Sequence, residues 1–185
     1  MGTTKTGSFW LTTQVRTDTQ GTPGQAVLDI GSLVDVPGQR GLSIEQVDFM
    51  AQIYDTATGN YVNSFTGTMT AGDNIQLDFQ LSDQNPGTTL VSADNNSLIA
   101  SGAILYNEPT NTVSVGTDFF PDEYGSKDDS FIVVNDSLYL VAVPVGIMTL
   151  AANHTIQTTV RVKAKSIKLS AKNWMALAIT GLGSD

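Results

Sequence analysis

Residues 75–81 have the sequence Ile-Gln-Leu-Asp-Phe-Gln-Leu, in which four apolar residues alternate strictly with polar ones. In a β-strand, successive side chains point to opposite faces, so one face of this segment is apolar and the other is polar. The segment therefore predicts a strand of an antiparallel sheet, with its apolar face against the core and its polar face in solvent.

Alternation of this kind, or a short apolar run, recurs along the chain between turns rich in Gly, Pro, Asn and Asp. The predicted strands cover residues 8–15, 26–30, 42–55, 61–70, 75–81, 98–106, 112–117, 131–134, 138–143, 155–164 and 174–180. No stretch predicts a long helix, and no internal repeat or linker divides the chain. We therefore predict an all-β sandwich, with residues 1–185 forming one domain.

The amino-acid composition excludes several classes of function. With 41% hydrophobic residues, a chain of 185 residues can bury one core. The formal charge is −9, which disfavours general nucleic-acid binding because that needs basic patches. Cysteine is absent, which excludes disulfides, thiolate nucleophiles and Cys-ligated zinc. No apolar run reaches the roughly 18 residues of a membrane span, and the N-terminal residues lack the apolar segment of a signal peptide.

Few residues suit acid–base catalysis. His154 is the one histidine, it lies at the start of a predicted strand, and no glycine-rich nucleophile elbow or nucleotide-binding fingerprint occurs in the sequence. We interpret His154 as a polar turn residue, and we predict that the protein is not an enzyme and uses no cofactor.

Paired carboxylates occur at Asp122-Glu123 and Asp128-Asp129, within the polar segment 118–129. A glycosidase needs two carboxyl groups held across a cleft, and the spacing here does not match a calcium-binding loop. We interpret the segment as a solvated loop, and weak cation binding by it stays an open alternative.

Charge is distributed unevenly along the chain. Residues 1–136 contain 4 basic and 17 acidic residues, whereas residues 137–185 contain 5 basic and 1 acidic. The five basic residues are Arg161, Lys163, Lys165, Lys168 and Lys172. In an extended strand, the first three share one face, and the other face is apolar.

Two interpretations of these basic residues remain open. They could protect an exposed edge strand against unwanted pairing. Alternatively, they form a docking stripe for the acidic surface of a neighbouring subunit or for anionic lipid headgroups. On the second interpretation, charge reversal at Lys163 and Lys165 impairs assembly more than folding.

The predicted strand order, with an early strand ahead of residues 26–30 and an apolar last strand at 173–179, resembles a viral single jelly roll. Together with the small size, the acidity and the absence of cysteine, it most resembles the smaller major capsid protein of tailless icosahedral haloarchaeal viruses with an internal membrane, the sphaerolipovirus-type vertical single β-barrel lineage. The chain carries fewer acids than the surface of an extreme halophile.

The resemblance implies a jelly-roll sandwich or barrel of about eight strands and a structural role in the virion. It implies self-association, pairing with a second, larger capsid protein and contact with an internal viral membrane. The net charge, and not the resemblance, predicts that the partners include no nucleic acid. The five basic residues would then form the assembly or membrane-facing contact.

The alternative function is a carbohydrate-binding or adhesion β-sandwich, which needs an exposed aromatic platform. The candidates are Trp10, Tyr54, Tyr61, Tyr124 and Trp174. Trp10 and Trp174 lie in apolar segments, which favours a core or interface position for both. A hydrolase on the same scaffold is a weaker alternative, because acids are dispersed and histidines are lacking.

Overall fold

The computed structural model describes residues 3–4, 6–17, 21–62, 74–107, 109–110, 112–116, 131–145 and 150–182. The predicted acidic segment 118–129, including Tyr124, lies outside these residues. Within them, the elements are β1 (Thr3–Thr4), β2 (Phe9–Thr17), β3 (Gly24–Asp29), β4 (Arg40–Asp55), β5 (Asn60–Val62), β6 (Asn74–Ser82), β7 (Leu98–Asn107), β8 (Thr112–Val115), β9 (Phe131–Val133), β10 (Ser137–Val145), β11 (His154–Lys168) and α1 (Ala171–Leu182). This helix is too short to span a membrane, and no longer apolar helix occurs in the described ranges.

The strands form two antiparallel sheets. In sheet A, β11 lies between β4 on one side and β2 and β1 on the other, while β5 and β9 pair with the far side of β4. Sheet B has the order β3-β10-β6-β7-β8. The β4–β11 pairing runs from Asp55–His154 to Arg40–Lys168 and is the longest strand pairing of sheet A.

The strand order defines the fold. The chain crosses repeatedly between the sheets, so that β2-β11-β4-β9 faces β3-β10-β6-β7, with β1, β5 and β8 as short additions. Two facing four-stranded sheets connected in this way form a jelly roll. The prediction of an all-β jelly-roll sandwich is confirmed.

The core lies between the sheets and is built by alternate residues, as the opening segment predicts. Ile75, Leu77, Phe79 and Leu81 of β6 are all buried, while the intervening residues of β6 are only partly buried. The Phe79 ring packs against that of Phe49 from sheet A, with the centroids 4.7 Å apart. The polar faces of both sheets are thereby left on the outside of the sandwich.

The last element differs from the prediction, because residues 174–180 lie in α1 and not in a strand. Its start is fixed by Ser170, whose Oγ accepts a hydrogen bond from the Asn173 backbone N–H. Trp174 and Leu177, three residues apart, pack together on Ile167 and Leu169. An apolar run of this length does not distinguish a strand from a helix; the i, i+3 spacing and the serine cap decide for the helix.

Candidate functional site

The basic residues of β11 lie inside a sheet. Along residues 156–164, β11 is hydrogen-bonded to β2 on one side and to β4 on the other. For Arg161 and Lys163, the interpretation as protection of an edge strand is therefore wrong. The sequence alone could not show that β11 is an inner strand, because its pairing partners are distant in the chain: Phe9, opposite Ala164, is 155 residues away.

The predicted alternation along β11 is correct. Val160, Val162 and Ala164 are buried in the core, and Arg161 and Lys163 lie on the outer face of sheet A. Arg161 is exposed and Lys163 is half-buried, and neither forms an ion pair in the described part of the chain. Two cations on this face are thus available to a partner.

Lys165 has a different role. A β-bulge shifts the register between Lys163 and Ala164, so that Glu45 of β4 has no direct partner on β11. Its carboxylate accepts a hydrogen bond from the Lys165 ammonium at 2.5 Å, and Lys165 is only 8% exposed. Hydrogen bonds from Lys165 and, to a lesser degree, from the Ser8 hydroxyl hold the pKa of Glu45 below its ordinary value. Lys165 is therefore neutralised within the chain.

The remaining two basic residues lie elsewhere. Lys168 is the last residue of β11, opposite Arg40, and its side chain leaves the strand on the side opposite to that of Lys165. Lys172 is exposed in the first turn of α1. The structure thus brings together Arg161, Lys163 and Lys165, and it separates Lys168 and Lys172 from them.

Aromatic rings accompany the cations on the outer face of sheet A. The guanidinium carbon of Arg161 lies 4.6 Å from the centroid of the Trp10 ring. At the other end of the face, the guanidinium carbon of Arg16 lies 4.0 Å from the centroid of the Tyr54 ring. The Tyr54 ring packs edge-on against the Tyr61 ring, with the centroids 5.3 Å apart. Cation–π contacts of this kind hold an arginine in place while its remaining N–H groups stay available.

A buried amide fixes one end of this surface. The Nε2 of Gln157 donates hydrogen bonds to Gln14 Oε1 at 2.6 Å and to the Tyr61 hydroxyl at 2.8 Å. Its Oε1 accepts a hydrogen bond from Arg16 Nε at 2.9 Å. Because Gln157 is only 2% exposed, these contacts order Arg16 and Tyr61 from beneath. We define the arginine–aromatic face by its members Trp10, Arg16, Tyr54, Tyr61, Arg161 and Lys163.

The predicted aromatic candidates divide into two groups. Trp10 is 42% exposed on the arginine–aromatic face. The prediction that it is a core residue is therefore wrong, and the prediction that it is an interface residue stays open. Trp174 of α1 is buried against Ile167 and Leu169, as expected of a core residue. Three of the five candidates, Trp10, Tyr54 and Tyr61, thus share one surface, which sequence reasoning did not foresee because they come from three separate strands.

Sheet B has the opposite electrostatic character. Its five strands and the connection 83–97 contain no lysine or arginine. That connection crosses the outer face of sheet B, where Gln80 exchanges two hydrogen bonds with the backbone of Val91. We define the acidic face as the outer surface of sheet B, with Asp78 and the exposed apolar side chains of Leu105 and Val145, together with the connection 83–97, in which Asp94 is exposed.

Of the predicted candidates for acid–base chemistry, only His154 lies within the described residues, because the carboxylate pairs of segment 118–129 lie outside them. The Nδ1 of His154 lies 2.9 Å from the carbonyl oxygen of Ala152, in agreement with its interpretation as a turn residue. No cluster of three potential metal ligands occurs in the ranges that the structure describes. Asp83, which sequence reasoning missed, is the one described carboxyl whose pKa burial raises, to about 6.

Comparison with known proteins gives structural similarity alone. No protein-family model matches the sequence, and no curated protein is similar to it. Among solved structures, Merkel cell polyomavirus VP1 in complex with disialyllactose is similar, with a TM-score of 0.46 and 8% identity over 89% of this chain and 98% of that chain.

Trichodysplasia spinulosa-associated polyomavirus VP1 in complex with 6'-sialyllactose has a TM-score of 0.43 and 8% identity, over 89% of this chain and 97% of that chain. The unassembled VP1 pentamer of Merkel cell polyomavirus has a TM-score of 0.43 and 8% identity, over 91% and 98%. The assignment of this chain to the jelly-roll class rests on the strand order of its own two sheets.

Proposed function

We propose that this protein is a non-enzymatic structural subunit of a viral capsid and that it is located in the virion. The observation that carries the proposal is the strand order, β2-β11-β4-β9 against β3-β10-β6-β7. The double-sheet jelly roll is an architecture of capsid domains, and it presents two broad sheet faces to neighbouring molecules. Because lectins share the fold, its function has to be argued from these surfaces.

The outer faces support a role in assembly. Large side chains remain exposed on both of them, among them Trp10, Met50 and Tyr61 on sheet A, and Leu105 and Val145 on sheet B. Exposed apolar side chains next to polar groups are typical of interaction surfaces. In a closed shell each subunit is held at several sites at once, so contacts that are individually weak give a stable whole.

The family resemblance refines this proposal. In that form, the chain self-associates and pairs with a second, larger capsid protein around an internal membrane. Arg161 and Lys163 are our candidates for contacts between subunits, because they are directed outwards and lack ion-pair partners within the described residues. Lys172, exposed on α1, and Lys168 are candidates for contact with anionic lipid headgroups or with the larger protein.

We expect Lys163→Glu to impair assembly while leaving the subunit folded. Lys163 is half-buried and has no ion pair to lose, whereas a carboxylate on this face repels an acidic neighbour. Electron microscopy and sedimentation of the purified protein measure assembly, and thermal melting measures folding. Wild-type protein that forms no assemblies at any ionic strength contradicts the proposed function.

A carbohydrate-binding function is the second candidate, because Trp10, Tyr54 and Tyr61 lie on one outer face next to amide side chains. Exposed rings can stack on sugars, and amides can bond their hydroxyl groups. On this hypothesis, the monomer binds on a glycan array, and Trp10→Ala and Tyr61→Ala each reduce binding about tenfold. A monomer that binds no glycan, or variants that bind as the wild type does, count against it.

A further inference from the structure

We propose that copies of this chain associate front to back, with the arginine–aromatic face of one copy docked on the acidic face of the next. The inference rests on the proposed structural function and deepens it, because it names the partner and the two surfaces that meet. The partner is a second copy of the same chain, and the attraction comes from opposite charges on the two outer sides of one sandwich.

The charge distribution across the sandwich supports this contact. On the outer side of sheet A, the strands carry the cations Arg16, Arg161, Lys163 and Lys165 and the acids Glu45 and Asp48. Sheet B and the connection 83–97 carry acids and no cation at all. A chain with a net charge of −9 thus concentrates positive charge on one side, and that side attracts the cation-free side of another copy.

The cations are available for such a contact. Lys165 is neutralised by Glu45. Arg16 contacts the Tyr54 ring and the Gln157 amide, and Arg161 contacts the Trp10 ring. Within the described residues, neither guanidinium group pairs with a carboxylate. Asp48 lies opposite Arg161 in the sheet, yet it accepts its hydrogen bond from Gln46 and forms no ion pair with the arginine. An acidic group of a neighbour can therefore pair with Arg161.

The arginine–aromatic face is also ordered before it meets a partner. Stacking on Trp10 and Tyr54, and the hydrogen bonds of Gln157, already restrict both arginines. Less conformational entropy is then lost on association. Interfaces enrich Trp, Tyr and Arg at their centres, and this face exposes all three residue types, in Trp10, Tyr61, Arg16 and Arg161.

The size of the surfaces fits a reversible contact. The pairing of β11 with β2 covers nine positions, or about 30 Å at roughly 3.3 Å per residue. Four strands at roughly 4.8 Å spacing make the face about 15–20 Å wide, which gives an area of about 500 Å². This is below the roughly 800 Å² per partner of a standard stable interface, and it is of the order expected for a weak contact repeated in a shell.

The charges also determine the symmetry. Two arginine–aromatic faces repel each other, as do two acidic faces, so a twofold contact between identical faces is disfavoured. A front-to-back contact joins two different surfaces, and such contacts close into rings or continue as open chains. We therefore expect front-to-back rings or open chains and no twofold dimers through these sheet faces.

A mixing experiment tests the contact. Arg161→Glu makes the arginine–aromatic face repel the acidic face, and Asp78→Lys does so from the other side. Each variant alone is expected to associate about a hundredfold or more weaker than the wild type, since like charges then meet in the interface. An equimolar mixture of the two is expected to regain association, because each reversed face meets an opposite charge on the other variant.

Sedimentation velocity at low salt measures the association, and circular dichroism and melting confirm that each variant is folded. Val36→Glu adds a negative charge at a position that is 62% exposed and lies outside both faces; it is the control and is expected to associate as the wild type does. If Asp78→Lys does not fold, Val145→Lys is used in its place, because it adds a positive charge to the same acidic face at a position that is 44% exposed.

The outcomes separate this inference from the proposed function. If the wild type assembles but the mixture does not regain association, or if the acidic-face variants associate normally, the front-to-back contact is wrong and the structural role stands. If the wild type stays monomeric at every ionic strength, the contact and the structural role are both overturned.

Discussion

Lys165→Glu is expected to destabilise the folded subunit by about 3–5 kcal/mol, because it leaves two carboxylates in a partly buried site that now holds an ion pair. Lys165 is 8% exposed and Glu45 accepts its hydrogen bond. For a chain of this length the change corresponds to a fall in Tm of about 10 °C. Urea unfolding monitored by tryptophan fluorescence measures it.

Two controls identify the cause of this loss. Lys163→Glu makes the same change of charge two residues away without an ion pair to break, so the free energy of unfolding is expected to change by less than about 1 kcal/mol. Replacing Lys165 and Glu45 together by methionine is expected to recover most of the stability, since no unpaired charge remains. Equal effects at Lys163 and Lys165 contradict the assigned role of the ion pair.

The contribution of the Glu45–Lys165 ion pair to stability depends on pH, and the lowered pKa of Glu45 gives the sign of this dependence. The pKa of Glu45 is lowered in the folded state, chiefly by the hydrogen bond from Lys165. Its contribution to stability is therefore complete above the ordinary pKa of 4.5 and is lost as the pH falls through the lowered value. The Lys165→Met variant should lose most of this acid-dependent component.

Asp83→Asn is expected to stabilise the protein at neutral pH by up to about 3 kcal/mol. Burial raises the pKa of Asp83 from 3.8 to about 6, and each unit corresponds to about 1.4 kcal/mol of differential interaction between its two protonation states. The Asp83 N–H donates to the Ser97 carbonyl and the Asp83 carbonyl accepts from Asn135, so the residue is held at the end of β6. Asparagine has nearly the same shape without the charge.

The sign of the pH dependence is opposite to that of Glu45. Between pH 3.8 and about 6, the folded state binds more protons at Asp83 than the unfolded state does. The contribution of Asp83 to the free energy of unfolding therefore falls as the pH rises through this range, and it is constant above it. Urea unfolding across this range should show the fall in the wild type and its absence in Asp83→Asn. Asp94→Asn, an exposed position on the same connection, should leave the wild-type profile unchanged; if Asp83→Asn is neutral or destabilising at neutral pH, the burial argument is wrong.

Local patterns predicted most of the strands. Residues 75–81 alternate strictly and form the centre of β6, and the core face of β11 follows the same rule at Val160 and Val162. The helix α1 was missed because its apolar run fits both periods, and its i, i+3 contacts depend on Ile167 and Leu169 of the adjoining segment.

The candidate surface was predicted less completely. The sequence located Arg161 and Lys163 on one face of a strand, and the alternation determines this without any knowledge of neighbours. It could not show that Lys165 is neutralised by a residue 120 positions away, at a bulge in β4. Nor could it show that β2, β4 and β5 bring Trp10, Tyr54 and Tyr61 onto that same face.

The sequence by itself determined the all-β class, the inward and outward faces of its main strands and the unequal distribution of charge, because each depends on composition or on neighbours two residues apart. Only the tertiary structure decided which strands lie side by side, and with that which charges are neutralised and which remain exposed. Pairing joins segments that are distant in the chain, and the free energy that selects one pairing comes from packing across the whole sandwich, which no local pattern contains.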